Sequence, residues 1–521
     1  MNRRAAGFAA VLVALAIGHA RLLSRSALEL VGIVPDDAFY YFQMARQMAA
    51  GHGSTFDGVH VTTGYHPVWM ALLAALAAVL RQPMLLLRGA LALEFLLHAA
   101  AAVALIGLFR RFMSPGLAVI GGLCWLANPF ALYISLQGLE SAAYVFSLVL
   151  VLRATARFVE GPGTLAPHLL LGGALGLCFL SRTEGGLLAA VTCLVAPALR
   201  GTPPWSRPGL RSVFLIGATF TLCAIPWFIY CWLIAGTPWQ STGAIKALWA
   251  RELLGPLSAA GRLARVGDVL GHIWLVAPWM GTWEWPKDGI GINPFVCVAM
   301  APAAVGLLLA VRRPLEDRRL IAWSAWLLGS TVVTGAVYGL IYWDSPIWYR
   351  TQPAFLLFVI TYLWIARAAA MTAGSRWGVI FATGVPLLLL ALSLITVFSF
   401  YRDPPVAYPW QQDVYRSQSR FEKLVPAGEA IACFNAGIPG YFGGRRIVNV
   451  DGLVNNSVVP YYRAGHLERY FSDEHIHYIA DDRGSLEHAT QFMSRPLRLN
   501  PLASAPLEGW FSPRRFLWEV E

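Results

Sequence analysis

Long apolar runs separated by short polar interruptions dominate the chain as far as Phe400. A helix that crosses a bilayer needs about 20 mainly apolar residues. Such runs recur near 7–23, 85–109, 115–135, 141–153, 168–181, 185–199, 212–235, 291–311, 320–342, 351–366 and 377–400. The pattern therefore predicts an α-helical multi-pass protein of about eleven spans. Left outside the membrane are residues 24–84 with their juxtamembrane helices, 136–140, 236–290 and everything after 400. The stretch from Asp268 to Trp283 is apolar enough for another crossing. That crossing would put the arginine-rich 312–319 loop on the wrong side, so the stretch is read as interfacial. Beyond Phe400 the period changes. Apolar runs Ala430–Phe434, Ile447–Val450 and His477–Ala480 alternate with turn residues and a helical stretch around Tyr461–Phe471, which predicts a small α/β unit. The expected organisation is a membrane domain over 1–400 and an extracytoplasmic α/β domain over 401–521.

Composition supports the membrane reading. The chain is 57% hydrophobic and 13% charged, against about 25% charged for an average soluble domain, and its mean hydropathy is +0.55. A net charge of +11 would suit a nucleic-acid binder, but the arginines sit in short groups between apolar runs and act more simply as topology determinants. Arg110 and Arg111, Arg153 and Arg157, Arg200 to Arg211, Arg312 to Arg319, and Arg367 with Arg376 all fit one side, the cytoplasm. The N-terminal run after Arg3 and Arg4 reads as an uncleaved anchor, because apolar character resumes at Leu22, Leu23 and Leu28 to Val34; a cleavable signal is the alternative. Either way, Asp36 is outside the cytoplasm. The cysteines outline no disulfide framework.

Acidic residues are scarce, and two adjacent ones, Asp36 and Asp37, open an amphipathic stretch at the membrane surface. At about 100° per residue, Asp36, Tyr40, Gln43 and Gln47 share one face, with Ala38, Phe42, Ala45 and Ala49 opposite. This wheel points Asp36 to the wet side and sets Asp37 at the apolar boundary beside Tyr41, Met44 and Met48. One aspartate following Pro35 can equally cap the helix or complement its dipole while the other reacts.

The run Asp36-Asp37-Ala38-Phe39-Tyr40-Tyr41, followed by Gly51-His52-Gly53-Ser54-Thr55-Phe56-Asp57-Gly58 and Thr63-Gly64-Tyr65-His66-Pro67-Val68-Trp69, resembles the first external loop of GT-C glycosyltransferases. That superfamily includes bacterial aminoarabinose transferases and protein O-mannosyltransferases. The resemblance continues in order through Gly138-Leu139-Glu140, Ser181-Arg182-Thr183-Glu184-Gly185, the stretch from Gly236 to Lys246, and Trp348-Tyr349-Arg350. Asn435 to Phe442 and Asn449 to Asn456 are similar to the external domain of uncharacterised bacterial members. One departure is that the best-known members often carry Asp-Glu where this chain has Asp-Asp.

The resemblance implies a GT-C fold in the bacterial cytoplasmic membrane, N-terminus inside. It implies transfer of a sugar from a polyprenyl-phosphate donor to a hydroxyl of a lipid, glycan or protein acceptor. The hydroxyl must lose its proton as it attacks the anomeric carbon, and direct displacement inverts that carbon. The catalytic candidates are Asp36 and Asp37, with Asp36 the first choice as base. The departing lipid phosphate needs cations near the membrane surface, where such groups are paired or face a cavity. Arg182, Lys246 and Arg350 are the candidates; Arg182 can pair with Glu184, and Lys246 is one of only three lysines. Tyr40, Tyr65, His66, Glu140 and Glu184 are the expected substrate contacts. No cofactor is required by this reading. A divalent metal is conceivable at His52, Asp57 and His60, although their spacing matches no ligand motif. Glu94 and His98, four apart on one span, line a cavity or bond each other. The competing readings are a transporter or flippase, which predicts acids at the membrane midplane, and a non-catalytic envelope-assembly protein.

Overall fold

The computed structural model describes residues 3–275, 318–341, 347–508 and 513–521. The expected 291–311 span, the loop residues 312–317, the end of the interfacial stretch from 276 and the turn 343–346 lie outside the described residues. The other expected spans all carry helix. Among the described residues seven helices are long and apolar enough to cross a membrane: Ala6–Leu23, Pro83–Phe109, Ser141–Glu160, Arg207–Ala235, Arg318–Leu340, Ile347–Met371 and Ile380–Arg402. Shorter apolar helices, Pro67–Val79, Pro115–Leu126, Leu165–Ser181 and Gly185–Leu199, pack among them.

Helix starts follow local chemistry. Proline stands in the first turn of the Pro67, Pro83, Pro115 and Arg207 helices, where its missing N–H leaves no bond unmade. The same rule splits the expected 115–135 span. One helix ends at Leu126, and Asn128 caps the next, Pro129–Ile134, by accepting the Ala131 N–H at 2.9 Å. The membrane helices enclose a core that includes Leu105, Trp125, Leu148, Trp326 and Phe358.

After Phe400 the helix Pro409–Leu424 leads into a mixed sheet of order β2-β1-β3-β5-β4. Its strands are β1 (Ile431–Cys433), β2 (Ile447–Asn449), β3 (Tyr478–Asp482), β4 (Leu499–Pro506) and β5 (Arg514–Val520). β2, β1 and β3 run parallel, and β5 and β4 close the sheet antiparallel. The three parallel strands coincide with the apolar runs. β4 is proline-bearing and half of its residues are exposed, so it lacks the alternation that would announce it, and its prolines suit an edge position. The helical stretch around 461–471 is two short helices, Val459–Ala464 and Leu467–Asp473.

A second core joins this unit to the first loop, packing Phe39, Tyr41 and Trp69 with Ile438, Tyr441 and Leu517. The approach is closest at Gly64, where an added Cβ would lie 1.8 Å from the Leu453 carbonyl oxygen. Backbone cannot move aside as a side-chain end can. Gly64→Ala should therefore cost about 1–3 kcal/mol, read as a lower thermal midpoint and faster protease cleavage after Phe400; an unchanged midpoint would show that this junction yields freely.

Candidate active site

The helix Asp36–Ala49 begins at Pro35 with both aspartates in its first turn, where their charge favours the positive end of the dipole. The two then part. Asp36 is buried, and its carboxylate accepts the N–H groups of Gly437 (3.0 Å) and Ile438 (2.8 Å), capping the helix Gly437–Phe442. Its own backbone N–H donates to Gln411 Oε1 at 2.8 Å. The expectation that Asp36 faces water is thus corrected. The helical wheel identified a polar face, but the C-terminal unit covers that face with polar backbone. Tyr40, on the same face, donates to the Phe434 carbonyl at 3.0 Å and lies 3.3 Å from Asp451 Oδ2. Asp37 is half-buried and lines a cavity of about 70 Å³.

Tyr40, Tyr65, His66, Glu140 and Lys246 line that cavity with Asp37. Tyr41, Gln240, Thr242, Trp348, Tyr349, Leu453 and Val454 also belong to its wall. Asp36, Arg182, Glu184 and Arg350 are not among its lining residues. The sequence motifs contained all seven added wall residues without marking them individually, since aromatic and small polar residues abound in such loops. Leu453 and Val454 show that the C-terminal unit closes one side.

Behind the cavity stands a charge network at the ends of membrane helices. Glu140 precedes the Ser141–Glu160 helix, Arg182 ends the Leu165–Ser181 helix, and Glu184 precedes the Gly185–Leu199 helix. Arg182 is 1% exposed. Its Nη1 donates to Glu140 at 2.8 Å, and its Nη2 to Glu184 at 3.1 Å. Its guanidinium also lies 5.0 Å from the Tyr349 ring centre. Tyr338 donates to Glu184 as well. Burial pushes the Glu184 carboxyl up to about 7 despite Arg182, whereas Glu140 is held below its usual range: burial there is outweighed by its neighbours, Arg182 among them. His66 lies 3.7 Å from Glu140. Burial lowers its imidazole to about 4, so His66 is neutral and this contact is not an ion pair.

Lys246 Nζ donates to the Tyr349 hydroxyl at 2.6 Å. Arg350 is buried at the end of the single turn Ile347–Arg350. The first loop, the 236–246 segment and the C-terminal unit are knitted together around the opening. Gln240 Nε2 donates to the Tyr65 carbonyl at 2.7 Å, and Ser241 and Thr242 hydroxyls donate to the Leu453 carbonyl. The turn that carries Glu140 is fixed from the membrane side. Gly138 has φ +67° and sits against Phe42, and its N–H donates to Glu94 at 2.8 Å. Glu94 and His98 therefore neither bond each other nor line the cavity: His98 bonds the Leu126 carbonyl.

The loop histidines lie apart from this site. His60 places Nδ1 2.7 Å from Asp57 and Nε2 3.0 Å from Glu474, and His52 bonds Gln47 at 2.6 Å. Both ring nitrogens of His60 are engaged, so these residues do not fit a resident divalent metal.

The architecture is that of a multi-pass membrane protein with a polar cavity where helix ends meet a small α/β unit. More specifically, the fold is that of the GT-C glycosyltransferases. ArnT from Cupriavidus metallidurans bound to undecaprenyl phosphate aligns with a TM-score of 0.60 at 14% identity, covering 99% of this chain and 97% of that one. The apo form of that protein gives 0.54 at 13%, covering 99% and 98%. The archaeal oligosaccharyltransferase AglB from Archaeoglobus fulgidus, in complex with an inhibitory peptide and a dolichol-phosphate, gives 0.50 at 13%, covering 91% of this chain and 69% of that one. Residues 410–512 match a family described as a domain of unknown function (DUF8728). No curated protein matches the chain.

Acids cluster where the C-terminal unit meets the Asp36 helix. Burial pushes Asp36 up to about 7 and Asp451 up to about 8, and raises Asp481 in the same direction. Carboxyls raised on folding bind more protons folded than unfolded, so stability falls as pH rises from about 4, the ordinary aspartate value, to about 8. The thermal midpoint should drop between pH 6 and pH 8.5, and Asp451→Asn should flatten the decline. A midpoint that climbs over that range would reverse the sign.

Proposed function

We propose that the protein is a glycosyltransferase that moves a sugar from a polyprenyl-phosphate donor to a hydroxyl of a cell-envelope acceptor, with inversion. The observation that carries this reading is that a carboxylate, Asp37, and an ammonium, Lys246, line the same cavity at the ends of membrane helices. A transfer from a lipid phosphate needs both. The acceptor oxygen bonds to the anomeric carbon, its proton goes to Asp37, and the bond from that carbon to the phosphate oxygen breaks. The polyprenyl phosphate leaves with the electron pair, and Lys246 meets the developing charge.

We place the base at Asp37 instead of Asp36, because Asp37 lines the cavity and Asp36 does not. Arg182 becomes a positioning residue, because two carboxylates already surround it. It holds Glu140 against the cavity and keeps Tyr349 over Lys246. Tyr40, Tyr65, His66 and Glu140 are the proposed substrate contacts. Neutral His66 can bond a sugar hydroxyl without adding charge. Arg350 supports the Tyr349 turn. The undecaprenyl phosphate bound to ArnT supports a donor of this chemical kind. The proposed setting is the bacterial cytoplasmic membrane, with the N-terminus inside and residues 401–521 forming an extracytoplasmic domain.

Asp37→Asn should lower the rate by about 10²–10⁴ with donor affinity retained, measured as release of free polyprenyl phosphate in membranes carrying labelled polyprenyl-phosphate sugars. Lys246→Ala should raise the donor KM. A dead Asp36→Asn beside a fully active Asp37→Asn would return the base to Asp36, and wild-type membranes that release nothing would remove the reaction. Glycan profiles of cells with and without the protein identify the product. For orientation, reporters fused after Phe400 should be active only outside the cytoplasm; cytoplasmic activity there would invert the proposed topology.

A further inference from the structure

The helices that end at the cavity carry a second opening at their far ends. Ser141–Glu160 starts beside the cavity and Leu165–Ser181 returns to it, so Arg153, Arg157 and Ala166 lie toward the opposite membrane surface. Between these helices and Pro83–Phe109 runs a groove of about 700 Å³, walled by Phe146, Leu150, Leu169, Leu170 and Leu177. From Phe146 to Arg157 is about 16 Å of helix at 1.5 Å per residue, close to half of the ~30 Å hydrocarbon thickness. The groove is therefore as long as one leaflet is thick.

Its far end is basic. Arg153 and Arg157 both line it. Arg153 donates to the Ala104 carbonyl at 2.9 Å, which orders the side chain without neutralising it. Among the described residues no carboxylate pairs with either arginine. Glu160, the acid nearest in sequence, is taken by Arg111 and Arg319. Arginines beside hydrocarbon are ordinarily paired or hydrated, and basic pockets between membrane helices attract anionic headgroups. Apolar walls of one-leaflet length with a doubly cationic mouth complement a single ligand class.

We propose that this groove binds an anionic glycerophospholipid of the leaflet opposite the cavity, with an acyl chain along Phe146, Leu150 and Leu170 and the headgroup phosphate between Arg153 and Arg157. The lipid fills the seam between the two helices that position Glu140 and Arg182, so its occupancy braces the site from the far side of the membrane.

The test uses the full chain in nanodiscs of equal phosphatidylethanolamine and phosphatidylglycerol, followed by native mass spectrometry of retained lipid. Phosphatidylglycerol should be retained at least about 10-fold over phosphatidylethanolamine. Arg153→Ala with Arg157→Ala should abolish that preference. So should Gly173→Leu, which keeps both arginines: an added Cβ at Gly173 meets nothing within 4 Å, and the larger side chain enters the groove. Equal retention of the two lipids by the wild type overturns the proposal, as does a preference that survives in both variants. Displacement of phosphatidylglycerol by equimolar undecaprenyl phosphate also overturns it, because the groove would then belong to a polyprenyl ligand.

Discussion

A single buried guanidinium organises the site. Arg182 sits almost wholly out of water where two membrane helices turn, and it is tolerable there only because Glu140 and Glu184 meet it. Removing one partner from such a group typically costs about 3–5 kcal/mol, far more than the intact pair contributes to stability. The three residues therefore constrain one another: Glu140 sets the start of one helix, Glu184 the start of another, and Arg182 the end of the helix between them. Tyr144 and Tyr349 flank the guanidinium, so the turn before the Thr351–Met371 helix is tied to the same point. A fixed geometry at the membrane boundary follows from charge pairing, where apolar packing alone would leave helix ends free to slide.

The second constraint is the cap that Asp36 places on the Gly437–Phe442 helix. It fastens the α/β unit to the helix that carries Asp37, and Gly64 against Leu453 fastens the same unit to the first loop. Leu453 and Val454 can form a cavity wall only because both contacts hold. The two adjacent aspartates thus take different places, one capping a helix of the C-terminal unit and the other lining the cavity. Successive residues on a helix cannot share a face, so burying one side chain in the neighbouring unit leaves the next turned toward the cavity.

The helical, multi-pass character and the α/β tail were legible because apolar length and a change of period are strong signals. Arg182 beside Glu184 was legible from their closeness in sequence, but Glu140 as the second partner came from a distant turn that no local pattern connects. The wheel failed at Asp36 for a definite physical reason. Amphipathicity reports which face is polar and not whether water or another polar surface covers it. Asp451, which abuts Tyr40, was equally hidden, since its proximity depends on how the sheet docks. Glu94 read as half of a pair with His98 because four residues along a helix are neighbours, yet each found a backbone partner first, as buried polar groups must.

The charges are divided between the cavity and the wall behind it. Arg182 is balanced behind the wall by Glu140 and Glu184, and among the described residues Lys246 bonds a neutral phenol. Inside the cavity the carboxylates of Asp37 and Glu140 share the wall with the Lys246 ammonium, and neutral His66 lies beside Glu140. If His66 were charged, the wall would carry a second cation facing Lys246 and would draw Glu140 away from Arg182. Burial prevents this by keeping the imidazole neutral well below pH 7, so Glu140 keeps Arg182 as its charged partner. Desolvation removes charge at His66 and raises Glu184, whereas at Glu140 the neighbouring charges outweigh it.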